Sequence, residues 1–431
     1  MRVLVTGAYG FIGSHIVAAL TAAGHEVVCA VRGGRLDERF PGLRAITCDM
    51  ARDVDVRTWL PRLDGIEAVV NCAGILRERD ANRFEAVHVQ APLALYRACV
   101  ERGVQRVVQI SALGRPDDGD FIASKHRGDE ALSNLPLDAL ILRPSLTYSA
   151  QGSYGGTSLL RAMAALPWLI PVPRAALRPC VQPVAAEDVG LAVAAVLARP
   201  QQGAEVLELV GPRAMGLGEY LQSWRRWLGL PAARLWPVPM PGVSLACRLG
   251  ERLGRGPLGE TMQRMLAHGN LGRSDALARL HERLGLVPRT LERALAESPS
   301  HVQDRWHARL YLWLPLLRTS LGLLWLASGV VGWLLPPHAI AATTAGDTLS
   351  PVPALWLARI TASLDLLLGA LCLLRWRPRW VLAGMLAMLF GYTFGIGTLW
   401  PAHWLDPFGG LLKNLPLLAC LGLLLATEER R

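Results

Sequence analysis

Lysine is nearly missing from this chain. Of its 45 basic residues only Lys125 and Lys413 are lysine, and 43 are arginine. An arginine-rich codon usage accounts for most of that bias, so the two lysines mark places where a compact ammonium has not been exchanged for a guanidinium fork. Paired cysteines are missing too. The eight cysteines are scattered without C-x-x-C spacing, which excludes a zinc ribbon or a disulfide framework and fits a reducing compartment. No basic run is interleaved with aromatics, which argues against nucleic-acid binding despite a net charge of +10. No signal-peptide pattern lies before the first apolar run, so the N-terminal part is expected to stay in the cytoplasm.

What is present begins at residue 3. Val3-Leu4-Val5-Thr6 is a short β-prone run that stops at Gly7, and Phe11, Ile12, Ile16, Val17 and Leu20 start a helical pattern within one turn. A strand, a tight glycine turn and a helix N-terminus form a ready site for a pyrophosphate. The glycines at 7, 10 and 13 suit the turn, close approach of backbone to phosphate, and close packing of helix on strand. A second strand, Glu26 to Val31, supplies the context that this motif requires.

The alternation then continues. Strands are expected at Arg44 to Cys48, Ala68 to Asn71, Arg106 to Ile110 and Ala139 to Leu142, with a helix from about Arg83 to Arg102. Strands alternating with helices imply an α/β fold, a doubly wound parallel sheet of Rossmann type with ligands beyond the strands' carboxyl ends.

These residues carry a resemblance. Thr6-Gly7-x-x-Gly10-x-x-Gly13, Asp49, Asn71-Cys72-Ala73-Gly74, Ser111, Lys125 and Arg143-Pro144-Ser145 resemble an extended or atypical short-chain dehydrogenase/reductase. Ile110-Ser111-Ala112-Leu113-Gly114 and the short gap to Lys125 are similar to the group of an accessory subunit of NADH-ubiquinone oxidoreductase. Val184 to Ala192 and Gly203 to Tyr220 extend the likeness loosely to about residue 300. The resemblance implies a pyrophosphate held by Gly7, Gly10, Phe11, Ile12 and Gly13. It implies Asp49 at the adenine, Ala73 and Gly74 at the adenosine ribose, Lys125 at the nicotinamide ribose, and Met50 and Pro144 among the other cofactor-binding residues.

The end of the second strand bears on the cofactor. An acid there suits the 2′-hydroxyl of NAD, whereas an arginine suits a 2′-phosphate. This chain has Arg32, with Arg35 near it and no acid before Asp37, which predicts NADP(H) over NAD.

Catalysis is where the pattern departs. The family's tyrosine, four residues before the lysine, exchanges a proton with the substrate. Here that position is Phe121, which has no titratable group, so Ser111 and Lys125 are the remaining candidates. Asp120, Ser124, His126 and Tyr148 are further proton sources among which spacing selects none.

Residues 220 to 310 read as arginine-rich amphipathic helices. Trp224-Arg225-Arg226-Trp227 fits either a packed stripe or a basic surface resting on lipid headgroups. From Leu314 the chain turns apolar, with four expected spans near 314–335, 354–374, 381–400 and 411–425. Arginines fall before the first span, at Arg375-Trp376-Arg377-Pro378-Arg379 and at Arg430-Arg431, while the two intervening loops have none. By the positive-inside rule both termini face the cytoplasm across a bacterial inner membrane. Arg359, Asp365, Lys413 and Asn414 are costly in a span, and Arg359 and Asp365 are spaced to pair with other helices rather than with each other. Pro401 to Pro416 resembles the DoxX-like membrane family, which is associated by name with quinone and thiol oxidation.

The expected organisation is a nucleotide core over 1–150, a substrate-side part over 151–300, a linker over 301–313 and a DoxX-like domain over 314–431. The functional expectation is a membrane-anchored NADPH-dependent reductase of a lipid-phase acceptor such as a quinone. Two alternatives stand beside it: a nucleotide-binding scaffold or redox sensor of a membrane complex, and an epimerase or dehydrogenase of a sugar or sterol.

Overall fold

The computed structural model describes residues 1–33, 40–78, 81–252, 259–341, 350–405 and 410–428. Arg35, Asp37, Arg430 and Arg431 lie outside them. The chain divides into two compact units, Met1–Arg309 and Leu310–Arg431.

The first unit is built on a seven-stranded parallel sheet. Its strands are β1 (Arg2–Thr6), β2 (Glu26–Val31), β3 (Arg44–Thr47), β4 (Ala68–Asn71), β5 (Arg106–Ile110), β6 (Asp138–Pro144) and β7 (Ala204–Leu209). Their order is β7-β6-β5-β4-β1-β2-β3, as expected for a doubly wound sheet, and it reverses between β1 and β4. Because side chains alternate across a strand, Val3 and Val5 enter one apolar core and Leu4 the other, so both faces of β1 are buried. Helix α1 (Phe11–Ala22) lies on the first face beside α4 (Ala186–Leu197), and Gly190 permits that approach: a Cβ there would stand 2.7 Å from the His15 carbonyl. Helices α2 (Ala91–Arg102) and α3 (Asp120–Ser133) belong to the unit as well. The expected helix from Arg83 is not uniform: a π-helical turn, Glu85–Gln90, precedes α2.

A third core gathers Tyr148, Ile170, Val172, Tyr220 and Trp224 from the later part of the unit. Trp224 is 1% exposed and Arg225 is 5% exposed, so these two are packing residues, while Trp227 is half-buried and Arg226 is exposed. Arg225 donates to the Ala164 and Leu166 carbonyls at 2.8 and 2.7 Å, which is why its charge tolerates burial.

The second unit is helical. Helix α5 (Val302–Leu334) contains the boundary between the units and is followed by α6 (Pro351–Leu374), α7 (Pro378–Leu399) and α8 (Asn414–Thr427). Among the described residues three helices, α5 to α7, are long and apolar enough to cross a membrane. The expected fourth span is shorter: α8 has 14 residues, about 21 Å of helix at 1.5 Å per residue, after a 3-10 turn at Leu411–Lys413. Small residues bring α5 and α6 together, since a Cβ on Gly369 would stand 2.9 Å from the Gly322 carbonyl.

Candidate functional site

The site starts at the β1–α1 turn. Gly7 has φ +64°, a left-handed conformation that favours glycine, and its carbonyl accepts the Gly10 N–H at 2.8 Å. A Cβ on Gly13 would run into the Gly7 carbonyl oxygen, and a Cβ on Gly7 would stand 2.9 Å from the Ala73 nitrogen. The absence of a side chain at Gly13 lets α1 pack on the turn, and its absence at Gly7 lets β1 approach the loop after β4. Gly10 is the N-cap and makes no side-chain cap, so the first N–H groups of α1, at Phe11, Ile12 and Gly13, remain open to an anion.

The loop after β4 is held by a buried polar network. Asn71 Oδ1 accepts the Thr6 hydroxyl at 2.5 Å and the Ala73 N–H at 3.2 Å, while its Nδ2 donates to the Tyr96 hydroxyl at 2.9 Å and to Gln109 at 2.8 Å. Ala73 packs against Gly7, and Gly74 lies beside Lys125 and His88. Spacing shows none of the network, because it joins strands far apart in sequence.

Lys125 Nζ donates to the Ala73 carbonyl at 3.0 Å and to the Ile110 carbonyl at 3.2 Å. It is 5% exposed, and desolvation lowers its pKa to about 8. Beside it lies His88, from the π-helical turn. Its Nε2 accepts the Ile75 N–H at 3.0 Å, and its Nδ1 lies 2.8 Å from Ser124 Oγ, which itself donates to the Phe121 carbonyl at 2.9 Å. Those partners fix a neutral ring with the proton on Nδ1. Burial, reinforced by the Lys125 and Arg127 charges, pushes the His88 pKa down to about 2. Phe121 meets the His88 ring edge-on at 5.7 Å, and Phe84 stacks on His88 at 5.4 Å. An aromatic face thus stands where the tyrosine would be.

Ser111 is brought near but turned to another task. Its hydroxyl donates to Asp129 Oδ2 at 2.7 Å, the oxygen that Arg143 also reaches at 2.9 Å. Burial raises the Asp129 pKa, against the Ser111 and Arg143 hydrogen bonds and the Arg143 charge. Of the other proton sources, Tyr148 is buried in the third core and His126 lies 3.2 Å from the Ala112 carbonyl. Asp49 accepts the Ala51 N–H at 3.1 Å, Met50 is buried, and Pro144 ends β6. Arg32 is exposed just beyond β2 and donates to Asn82 at 2.9 Å.

Residues 3–205 match the NAD dependent epimerase/dehydratase family, and residues 322–422 match the DoxX-like family. The chain joins an NAD dependent epimerase/dehydratase domain to a DoxX-like domain. A ceramide reductase of Caulobacter vibrioides is 30% identical over 149 residues, covering 34% of this chain and 46% of the relative. NADH dehydrogenase [ubiquinone] 1 alpha subcomplex subunit 9 of Rattus norvegicus is 27% identical over 247 residues, covering 55% and 63%. The chain thus spans about half to three fifths of these relatives' length. Among solved structures, Escherichia coli NADPH-dependent quinone oxidoreductase QOR2 with NADPH superposes with TM-score 0.53 at 16% identity, covering 68% of this chain and 99% of that one. That likeness shows the fold.

The epimerase/dehydratase domain fits a dinucleotide on its own geometry: uncapped N–H groups at α1, a β1 turn packed closely on the Ala73 backbone, and a buried ammonium with one N–H still to give. In the DoxX-like domain Arg359 and Asp365 find their partners on α5 and just beyond its end and not on each other. Arg359 donates to the carbonyls of Gly332 at 2.7 Å and Leu335 at 2.8 Å, and to that of Trp333, closing the C-terminal end of α5. Asp365 accepts the Ser328 hydroxyl at 2.8 Å. Lys413 is exposed on its 3-10 turn.

Proposed function

We propose that the epimerase/dehydratase domain binds NADP(H) and serves the reduction of a planar, lipid-phase acceptor of the quinone type. The DoxX-like domain holds the protein in the bilayer where such an acceptor dissolves. When bound, the cofactor supplies a hydride. The residues of this chain do the rest: Gly7, Gly10, Phe11, Ile12 and Gly13 cradle the pyrophosphate, Arg32 favours a 2′-phosphate, Asp49 and Met50 border the adenine, and Lys125 holds the nicotinamide ribose. Pro144 borders the nicotinamide.

The observation that carries the reading is the aromatic face of Phe84, His88 and Phe121 beside Lys125. A carbonyl substrate needs a proton delivered at one oxygen, and neither Phe121 nor the neutral, doubly engaged His88 supplies it. A conjugated ring spreads the incoming charge and takes its proton from water, and flat aromatic side chains suit it. The relatives add support for a lipid substrate, because ceramide and 3-beta-hydroxysteroids, named in two of them, both partition into membranes. Orientation follows the arginine pattern, with the nucleotide domain on the cytoplasmic side of a bacterial inner membrane.

Full-length protein in detergent tests this: NADPH fluorescence reports binding, and a short-chain quinone added next should discharge the signal. Binding without turnover across quinones, aldehydes and ketones would sink the reductase. It would favour a scaffold or redox sensor within a membrane redox complex. That reading has its own observation, since the Ser111 hydroxyl already donates to Asp129 rather than standing free for a substrate. Turnover of a sugar or sterol alcohol in place of quinone would favour the dehydrogenase reading.

A further inference from the structure

One residue in the second unit collects three arginines, two on its carboxylate and one on its backbone carbonyl. Glu428, just after α8, takes Arg318 on Oε2 and Arg375 on Oε1 at 3.2 Å, and its backbone carbonyl accepts Arg379 Nε at 2.8 Å. Among the described residues, three guanidinium groups stand against one carboxylate, an excess of two positive charges. Arg318, at the middle of α5, is 8% exposed, and its Nη1 has no hydrogen-bond partner. A buried guanidinium N–H without an acceptor is costly, and an anion reaching it would relieve that cost.

The loop that presents the other arginines is itself strained. Arg375 has φ +58° and Arg377 has φ +40°, left-handed conformations in which glycine is favoured, yet both are arginine. Arg377 lies over the Trp376 ring at 5.0 Å, and Trp376 and Trp380 are 53% and 71% exposed. Exposed tryptophans around a basic cluster are the pattern of a membrane–water interface.

We infer that Arg318, Arg375 and Arg379, gathered on Glu428 at the ends of α6 and α8, form a binding site for the phosphate of an anionic lipid headgroup. Arg318 Nη1 and the outward N–H groups of Arg375 and Arg379 supply the donors, Glu428 holds the fork in place, and Trp376 and Trp380 lie at the level of the headgroup. A free phosphate ion has the same chemistry but no acyl chains to hold it beside an apolar bundle.

The test uses the full-length protein in detergent with phosphatidylglycerol, phosphatidylcholine or inorganic phosphate as probe. Retained lipid is counted by native mass spectrometry, and thermal melting is followed in parallel. Phosphatidylglycerol should be retained in preference to phosphatidylcholine, should raise the melting temperature, and should be lost as salt is raised. The double variant Arg375→Gln, Arg379→Gln, at exposed positions, should melt as wild type without lipid and bind phosphatidylglycerol about thirtyfold more weakly. Equal retention of the two lipids by the wild type would overturn the proposal. So would undiminished retention in the double variant, or an equal thermal shift with inorganic phosphate alone. The wild-type comparison stands even if the double variant fails to fold.

Discussion

Lys125 and Gly74 share one small space: the Lys125 ammonium bridges the Ala73 and Ile110 carbonyls, and a Cβ on Gly74 would stand 3.0 Å from Nζ. The ends of β4 and β5 are thereby tied by a group that has no room to be bulkier. This is a physical reason for a lysine to persist in a chain otherwise converted to arginine. Lys125→Arg should therefore weaken NADPH binding about as much as Lys125→Met, on the order of tenfold, read by cofactor fluorescence. Rescue by arginine would show that charge alone matters.

The pH dependence of that binding follows from the lowered pKa. The ammonium is present below about pH 8 and is lost above it, so cofactor affinity of the wild type should decline above pH 8 while Lys125→Met stays flat. For stability the sign is opposite. With the folded pKa near 8 and the unfolded value 10.5, the unfolded state holds more protons between them, and this group's contribution to stability rises with pH there.

His88 titrates on the other flank. Its folded pKa of about 2 lies below its ordinary value of 6.5, so the unfolded state takes up a proton first as pH falls. Stability should drop from about pH 6.5 downward, by at most about 1.4 kcal/mol per pH unit from this residue. Comparing acid melts of wild type and His88→Phe checks it: equal acid sensitivity would show that the burial of His88 is not responsible. Ser124→Ala, which leaves Nδ1 without its partner, should cost about 1–3 kcal/mol at neutral pH.

Gly13→Ala should abolish nucleotide binding and destabilise the first unit by about 3 kcal/mol, since the new methyl meets a backbone carbonyl that cannot swing away. Normal NADPH binding by this variant would mean that the turn relaxes.

Arg32→Glu should weaken NADPH about tenfold and leave NADH nearly unchanged, since only the 2′-phosphate distinguishes them. Equal losses for both cofactors would place Arg32 outside the ribose site.

Phe121→Tyr introduces a phenol beside the His88 ring. If ketones are weak substrates for lack of a proton donor, their turnover should rise about a hundredfold while quinone reduction changes little. An unchanged ketone rate would show that the aromatic face excludes such substrates regardless of acid.

Much of this protein is settled by short-range chemistry. The Gly7, Gly10 and Gly13 turn, the order of β-prone and helical segments, and the apolar runs after Leu314 are local properties. A turn that only glycine can make, or a run that only lipid or a core can cover, needs no distant partner to be recognised. Tertiary structure decided what local pattern cannot carry. Trp224 and Arg225 fit either a packed stripe or a lipid-facing surface until the third core buries Trp224 and the Ala164 and Leu166 carbonyls take the Arg225 hydrogen bonds. Ser111 reads as a substrate contact until Asp129, eighteen residues on, accepts its hydrogen bond. His88 acquires its tautomer from Ile75 and Ser124, and Arg318 its role from Glu428 at the far end of the chain. In each case burial makes an unpaired polar group so costly that its partner fixes its role, and the sheet order and helix packing choose that partner.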